Sequence, residues 1–70
     1  MRIKELRLSK GLTIKQLSVA SNVAVGYLSD LENGKRKNPS MNTLKLIADA
    51  LGVTIFDLLG FNGEKKDKKA

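Results

Sequence analysis

The chain contains neither histidine nor cysteine. Those two absences remove the commonest general base, the commonest nitrogen ligand for zinc, every thiolate and every disulfide. Tryptophan is missing as well, and Tyr27, Phe56 and Phe61 are the only aromatic side chains, so a core has to be aliphatic. No stretch approaches the roughly 20 apolar residues of a membrane-spanning helix. The opening Met1-Arg2-Ile3-Lys4-Glu5 is charged and lacks the apolar stretch of a secretory signal. Acidic residues are few: 7 Asp and Glu stand against 13 Lys and Arg, for a net charge of +6. On this basis the chain is not expected to be an enzyme, and no metal, cofactor, small-molecule ligand or membrane is expected. What is present is 70 residues with 41% hydrophobic side chains, which suits one small globular domain. The lack of cysteine fits a reducing compartment, so the expected location is the cytoplasm.

Residues 62–70 read Asn-Gly-Glu-Lys-Lys-Asp-Lys-Lys-Ala and hold no large apolar side chain. They are expected to form a disordered basic tail, leaving residues 1–61 as the domain. Within that domain no window alternates cleanly at period two, and the apolar spacing is helical. Ile3, Leu6 and Arg7 share one face of a first helix that stops at Gly11. Thr13 with Gln16 makes a capping box, and Leu12 with Leu17 a hydrophobic staple, at the start of a second helix over residues 14–20. Ser21-Asn22-Val23 reads as a tight turn in which Asn22 takes the left-handed conformation. A third helix follows over residues 24–33, with Leu28 and Leu31 on one side and Val25, Gly26, Ser29 and Asp30 on the other; Gly34 closes it.

Lys35-Arg36-Lys37-Asn38-Pro39 is a loop, since Pro39 biases Asn38 away from helix. Ser40 caps a fourth helix whose Leu44, Ile47, Ala48 and Leu51 follow the i, i+3, i+4, i+7 pattern. Thr54 with Asp57 repeats the capping box, and Val53 with Leu58 the staple, ahead of a short fifth helix at Ile55–Leu59. Short helices with brief connections make a compact all-α domain.

Two consecutive helices joined by a three-residue turn, in a basic domain, suggest a helix-turn-helix formed by the second and third helices. Its requirements are met in register. Ser18 is small where the helices cross, Asn22 tolerates positive φ, and Val23, Leu28 and Leu31 supply buried aliphatics. Gly11-Leu12-Thr13, Gln16-Leu17, Tyr27-Leu28-Ser29, Leu31-Glu32-Asn33-Gly34-Lys35, Asn38-Pro39-Ser40 and Ala50-Leu51-Gly52-Val53 resemble the lambda-repressor-like, Cro/C1-type helix-turn-helix family (the XRE family) of DNA-binding regulators. The resemblance covers about residues 2–60.

The resemblance implies a five-helix lambda-repressor-like fold, with the third helix in the major groove of double-stranded DNA and a homodimer on a two-fold operator. Position by position, it implies base contacts from Ala24, Val25, Gly26, Ser29 and Asp30. It implies phosphate contacts from Thr13, Ile14, Lys15 and Gln16, and from Asn33, Lys35, Lys37, Asn38 and Ser40. It implies a structural ion pair between Arg7 and Glu32. The chain departs from the family pattern at Ile14, where many members carry a phosphate-binding Gln, and at Ala24, a cap position often filled by Ser or Thr. The reading face also offers no Arg, Lys, Gln or Asn before Asn33, so the bidentate pairings to guanine or adenine are missing from it.

Several residues admit two readings. Gln16 is fully explained as a capping partner, or it also contacts phosphate. Tyr27 packs against the domain, or offers its hydroxyl to a phosphate. Asp30 is a tolerated surface carboxylate, or accepts from a cytosine amino group. Phe56, Leu59 and Phe61 close the end of the core, or Ile55, Leu59 and Phe61 form a two-fold dimer patch. The leading functional expectation is a sequence-specific transcriptional regulator, a repressor. The alternative is a protein-interaction module on the same fold, such as an antitoxin or anti-regulator partner.

Overall fold

The computed structural model describes residues 1–36 and 38–60. These form five helices: α1 (Ile3–Ser9), α2 (Ile14–Ser21), α3 (Val25–Glu32), α4 (Met41–Leu51) and α5 (Ile55–Leu59). No strand occurs among the described residues. The expected all-α, five-helix architecture is the one observed. The boundaries differ slightly: α2 runs one residue further than expected, and α3 is shorter, with Ala24 and Asn33 as its caps. Lys37, Phe61 and the expected tail at 62–70 lie outside the described residues.

Local chemistry explains where these helices begin. Thr13 Oγ1 accepts from the Gln16 amide at 3.0 Å while Gln16 Oε1 accepts from the Thr13 amide at 2.8 Å. Thr54 and Asp57 repeat this reciprocal pair at 3.0 and 3.1 Å. Ser40 Oγ accepts from the Thr43 amide at 3.1 Å. Such caps contribute about 0.5–2 kcal/mol each, a useful share for helices too short to persist alone. The starts of α1 and α3 have no side-chain cap. For α1 a tertiary bond takes that place: the Arg2 amide donates to the Leu58 carbonyl at 2.7 Å, tying the beginning of α1 to α5. α3 relies on packing through Leu28 and Leu31, both buried.

Each helix sends one side chain to full burial: Ile3, Leu17, Leu28, Ile47 and Leu58. Val23, Leu31, Leu44, Ala48 and Leu51 complete the aliphatic core. α2 packs against both α3 and α4, α4 against α5, and α1 against α3. In α3, Leu28 and Leu31 face this core, while Val25 and Gly26 are exposed.

One charged pair belongs to this interior. Arg7 Nε and Nη2 donate to Glu32 Oε2 and Oε1 at 2.8 and 3.1 Å, and Arg7 Nη1 donates to the Leu12 carbonyl at 2.8 Å. Only 11% of the Arg7 side chain and 6% of the Glu32 side chain remain exposed. The guanidinium thus joins α1, α3 and the α1–α2 loop at one point. The hydrogen bonding with Glu32 raises the Arg7 pKa above its ordinary value; burial opposes this, and the Glu32 charge adds to it. A raised folded pKa means the contribution is fully present below the unfolded pKa and is lost only in strong alkali.

Candidate nucleic-acid interface

The turn between α2 and α3 is set by three polar groups. Asn22 closes α2 at φ 62° and ψ 31°, and its amide donates to the Ser18 carbonyl at 2.8 Å. The amide-bearing side chain makes Asn among the few non-glycine residues that visit this region readily. Ser18 Oγ donates across the turn to the Val23 carbonyl at 2.6 Å, and buried Ser21 Oγ donates to the Leu17 carbonyl at 2.7 Å. Ser18 is thus more than a small residue at a helix crossing. Its hydroxyl closes the turn and holds buried Val23 at the foot of α3.

From this foot, Ala24, Val25 and Gly26 are exposed, while Ser29 and Asp30 are half-buried. A Cβ placed on Gly26 would meet nothing within 4 Å. The bare backbone at Gly26 therefore serves no contact inside the domain. Asn33 Nδ2 donates to Ser29 Oγ at 3.4 Å, so the two polar groups at the far end of this face are already associated.

At the start of α2, Thr13, Lys15 and Gln16 are exposed, whereas Ile14 is half-buried and packs against the core. Ile14 can meet an external anion only through its amide, one of the first-turn donors that has no intrahelical partner. The capping box uses the oxygen of Gln16, which leaves its NH2 group as a donor. Ser40 and Asn38 are exposed, and the Ser40 hydroxyl is engaged with Thr43 at 2.9 Å in addition to capping α4.

The most informative geometry lies where α3 ends. Gly34 adopts φ 77°, and the chain reverses there. The Gly34 amide donates to Leu31 at 3.3 Å and the Lys35 amide to the Asp30 carbonyl at 2.8 Å, a glycine-closed helix end. The Arg36 amide reaches the same Asp30 carbonyl at 3.4 Å. This reversal returns Arg36 to the side of α3. Its guanidinium lies 4.5 Å from the centroid of the Tyr27 ring, and its Nη2 is 3.7 Å from Asp30 Oδ2. Tyr27 itself is half-buried and packed against the core.

From the sequence, Arg36 belongs to the basic Lys35-Arg36-Lys37 run expected to lie near phosphates, with no individual partner named for it. The sequence pattern behind this arrangement is an aromatic and an acid three residues apart on one helix, followed by a glycine stop and an arginine. Asp30, expected on the reading face as a bare carboxylate, has Arg36 as its partner.

Every acidic side chain among the described residues is engaged. Glu5, Asp30, Glu32 and Asp49 each pair with a basic side chain, and Asp57 caps α5. Among the described residues Lys4, Lys10, Lys15 and Lys35 make no salt bridge, and Lys15 and Lys35 belong to the α2 start and the α3–α4 loop. In α5, Ile55 and Leu59 are half-buried against the core, while Phe56 is 60% exposed.

A tight turn between two packed helices, the second with an open outer face and a basic loop at its end, defines a helix-turn-helix protein. The Helix-turn-helix family model matches residues 3–58, and the chain belongs to that family, in its Cro/C1-type branch. It is similar to the HTH-type transcriptional regulator DdrOP3 of Deinococcus deserti, at 48% identity over 83% of this chain and 44% of that one. It is similar to the immunity repressor protein of Bacillus phage phi105, at 38% identity over 99% of this chain and 47% of that one. It is also similar to the HTH-type transcriptional regulator SinR of Bacillus subtilis, at 36% identity over 83% of this chain and 52% of that one. The chain therefore spans about half the length of these curated relatives. No solved structure is a significant match. No helix among the described residues is long and apolar enough to cross a membrane.

Proposed function

We propose that this chain is the DNA-binding unit of a transcriptional regulator, a repressor that occupies a two-fold operator as a homodimer in the cytoplasm. The observation that carries this reading is the exposed start of α3, with Arg36 of the basic loop returned beside the helix. The groove face would be Ala24, Val25, Gly26, Ser29 and Asp30. Phosphates would be met by Thr13, Lys15, Gln16, Tyr27, Asn33, Lys35, Lys37, Asn38 and Ser40, and by the Ile14 amide. Repression would be steric: no residue performs chemistry, and the bound protein excludes polymerase. The relatives named as transcriptional regulators and as an immunity repressor support the reading.

The test is binding to duplex DNA across a range of salt. Neutralised phosphates release counterions, so affinity should fall steeply as salt rises. Lys35→Ala should weaken binding to all sequences alike and reduce the slope of log affinity against log salt by about one. An unchanged slope would remove Lys35 from the phosphate contacts.

Two half-sites about 34 Å apart require two copies related by a two-fold axis. Ile55, Leu59 and Phe61, next to exposed Phe56, are the proposed dimer patch. Leu59→Asp should convert any dimer seen by sedimentation into monomer while the helical circular dichroism persists. Wild-type protein that stays monomeric even on DNA would refute the patch.

A second reading, a protein-interaction module, draws on the uncharged, apolar surface at Ala24, Val25 and Gly26. A protein partner bound through them would show little salt dependence, which separates the two readings in the same titration.

A further inference from the structure

The proposed reading face has no long hydrogen-bonding side chain of its own, and it carries a carboxylate that phosphates repel. Arg36 bears on both problems. The glycine-closed end of α3 returns it to the helix, where its guanidinium carbon lies over the Tyr27 ring, 4.5 Å from the centroid, and its Nη2 lies 3.7 Å from Asp30 Oδ2. Both partners come from α3 itself, at i and i+3, on the turn next to the exposed residues.

The Asp30 contact, Nη2 to Oδ2 at 3.7 Å, is longer than a hydrogen bond, in a pair whose side chains are 51% and 39% exposed. An exposed pair of this kind contributes little to folding. It does fix where a positive charge sits, and it leaves most of the five guanidinium donors unused. Its place over an aromatic face further limits the positions open to the guanidinium, so little is lost when it meets an acceptor.

We propose that Asp30 is a positioning residue that acts through Arg36. Its carboxylate and the Tyr27 ring hold the Arg36 guanidinium beside α3, where it cancels the carboxylate charge and presents its free N–H donors to DNA. Arg36 is then the long donor that α3 lacks. This inference rests on the DNA-binding reading above, and it reverses the simplest expectation for Asp30. A bare carboxylate facing phosphates would be a burden, and its removal would always help. A carboxylate that holds an arginine helps binding while the arginine is there and hinders it only when the arginine is gone.

The experiment is a double-mutant cycle of Arg36→Ala and Asp30→Asn in the full chain. Affinity is measured for a duplex that wild-type protein binds, with thermal melting followed in parallel. Arg36→Ala should weaken binding by about tenfold or more, because it removes a donor and uncovers a carboxylate. Asp30→Asn alone should weaken binding by about threefold. In the Arg36→Ala background the same substitution should strengthen it by about threefold, a change of sign that only coupled residues show. Melting temperatures of all four proteins should agree closely, since an exposed pair is involved.

Additive effects of the two substitutions, or Asp30→Asn strengthening binding in both backgrounds, would overturn the positioning role while leaving DNA binding itself intact. Wild-type protein without salt-dependent duplex binding would overturn both readings together. A selection of binding sites with wild-type and Arg36→Ala protein separates the two acceptors the guanidinium can use. A preference for guanine lost in the variant assigns a base contact, and a uniform loss across sequences assigns a phosphate.

Discussion

Glu32→Ala is expected to remove about 3–5 kcal/mol of folding stability, because it leaves the Arg7 guanidinium buried without its counter-charge. The geometry sets this magnitude. Both oxygens of Glu32 accept from Arg7, at 2.8 and 3.1 Å, and the carboxylate side chain is only 6% exposed. Asp49→Ala is the comparison. Its carboxylate meets Lys45 Nζ at 3.3 Å one turn away, with side chains 68% and 65% exposed, and such pairs contribute at most about 0.5 kcal/mol. Denaturant titration of the two variants should therefore separate them clearly.

A domain this small has a total stability on the order of 5 kcal/mol, so Glu32→Ala by itself can leave too little folded protein to measure. The double variant Arg7→Met with Glu32→Met removes both charges and keeps apolar volume, and it should recover most of the loss. It should fall short of wild type, because the Leu12 carbonyl loses the Arg7 Nη1 donor at 2.8 Å. If Glu32→Ala and Asp49→Ala unfold at the same denaturant concentration, the pair does not stabilise the fold as its geometry requires.

The parts of the structure that were legible in the sequence are those set by near neighbours. The capping boxes at Thr13 and Thr54 need only a hydroxyl and a carboxylate or amide three residues apart. The left-handed turn at Asn22 needs one permissive residue, and the α4 stripe of Leu44, Ile47, Ala48 and Leu51 needs only helical periodicity. The Arg7–Glu32 pair joins residues 25 positions apart. No spacing rule reaches that far, and only resemblance to a family pointed to it.

Arg36 shows a different limit. Its place beside Tyr27 and Asp30 depends on the direction the chain takes after Gly34, and a basic run in a loop looks the same whichever way it turns. The apolar end of the domain shows a third. Periodicity groups Ile55 with Leu59, yet both are half-buried, and it is Phe56 between them that stands 60% exposed. In a helix of five residues, faces are too short for a pattern to separate core from surface.

Gly26→Glu is expected to leave the fold unchanged or slightly more stable and to weaken duplex binding by at least about 100-fold. The two halves of this result come from the same observation. Gly26 is the second residue of α3 and is not among the positive-φ glycines, and a Cβ there meets nothing within 4 Å, so no contact in the domain explains a glycine. Glycine in a helix costs about 0.5–1 kcal/mol relative to alanine, and any unbranched side chain should recover part of it. On DNA the same site faces the groove in the proposed arrangement. A carboxylate there must enter between phosphate rows and lose its water, and like-charge juxtaposition of this kind costs several kcal/mol, of which about 2.7 kcal/mol already amounts to 100-fold. Gly26→Ala is the milder companion: it should raise the melting temperature and weaken binding only as far as its methyl holds the backbone away from the bases. Melting curves and a salt-matched affinity measurement on wild type, Gly26→Ala and Gly26→Glu give both readouts from the same three proteins. Full affinity in Gly26→Glu would take the exposed side of α3 out of the groove and move the DNA-binding surface elsewhere on the domain.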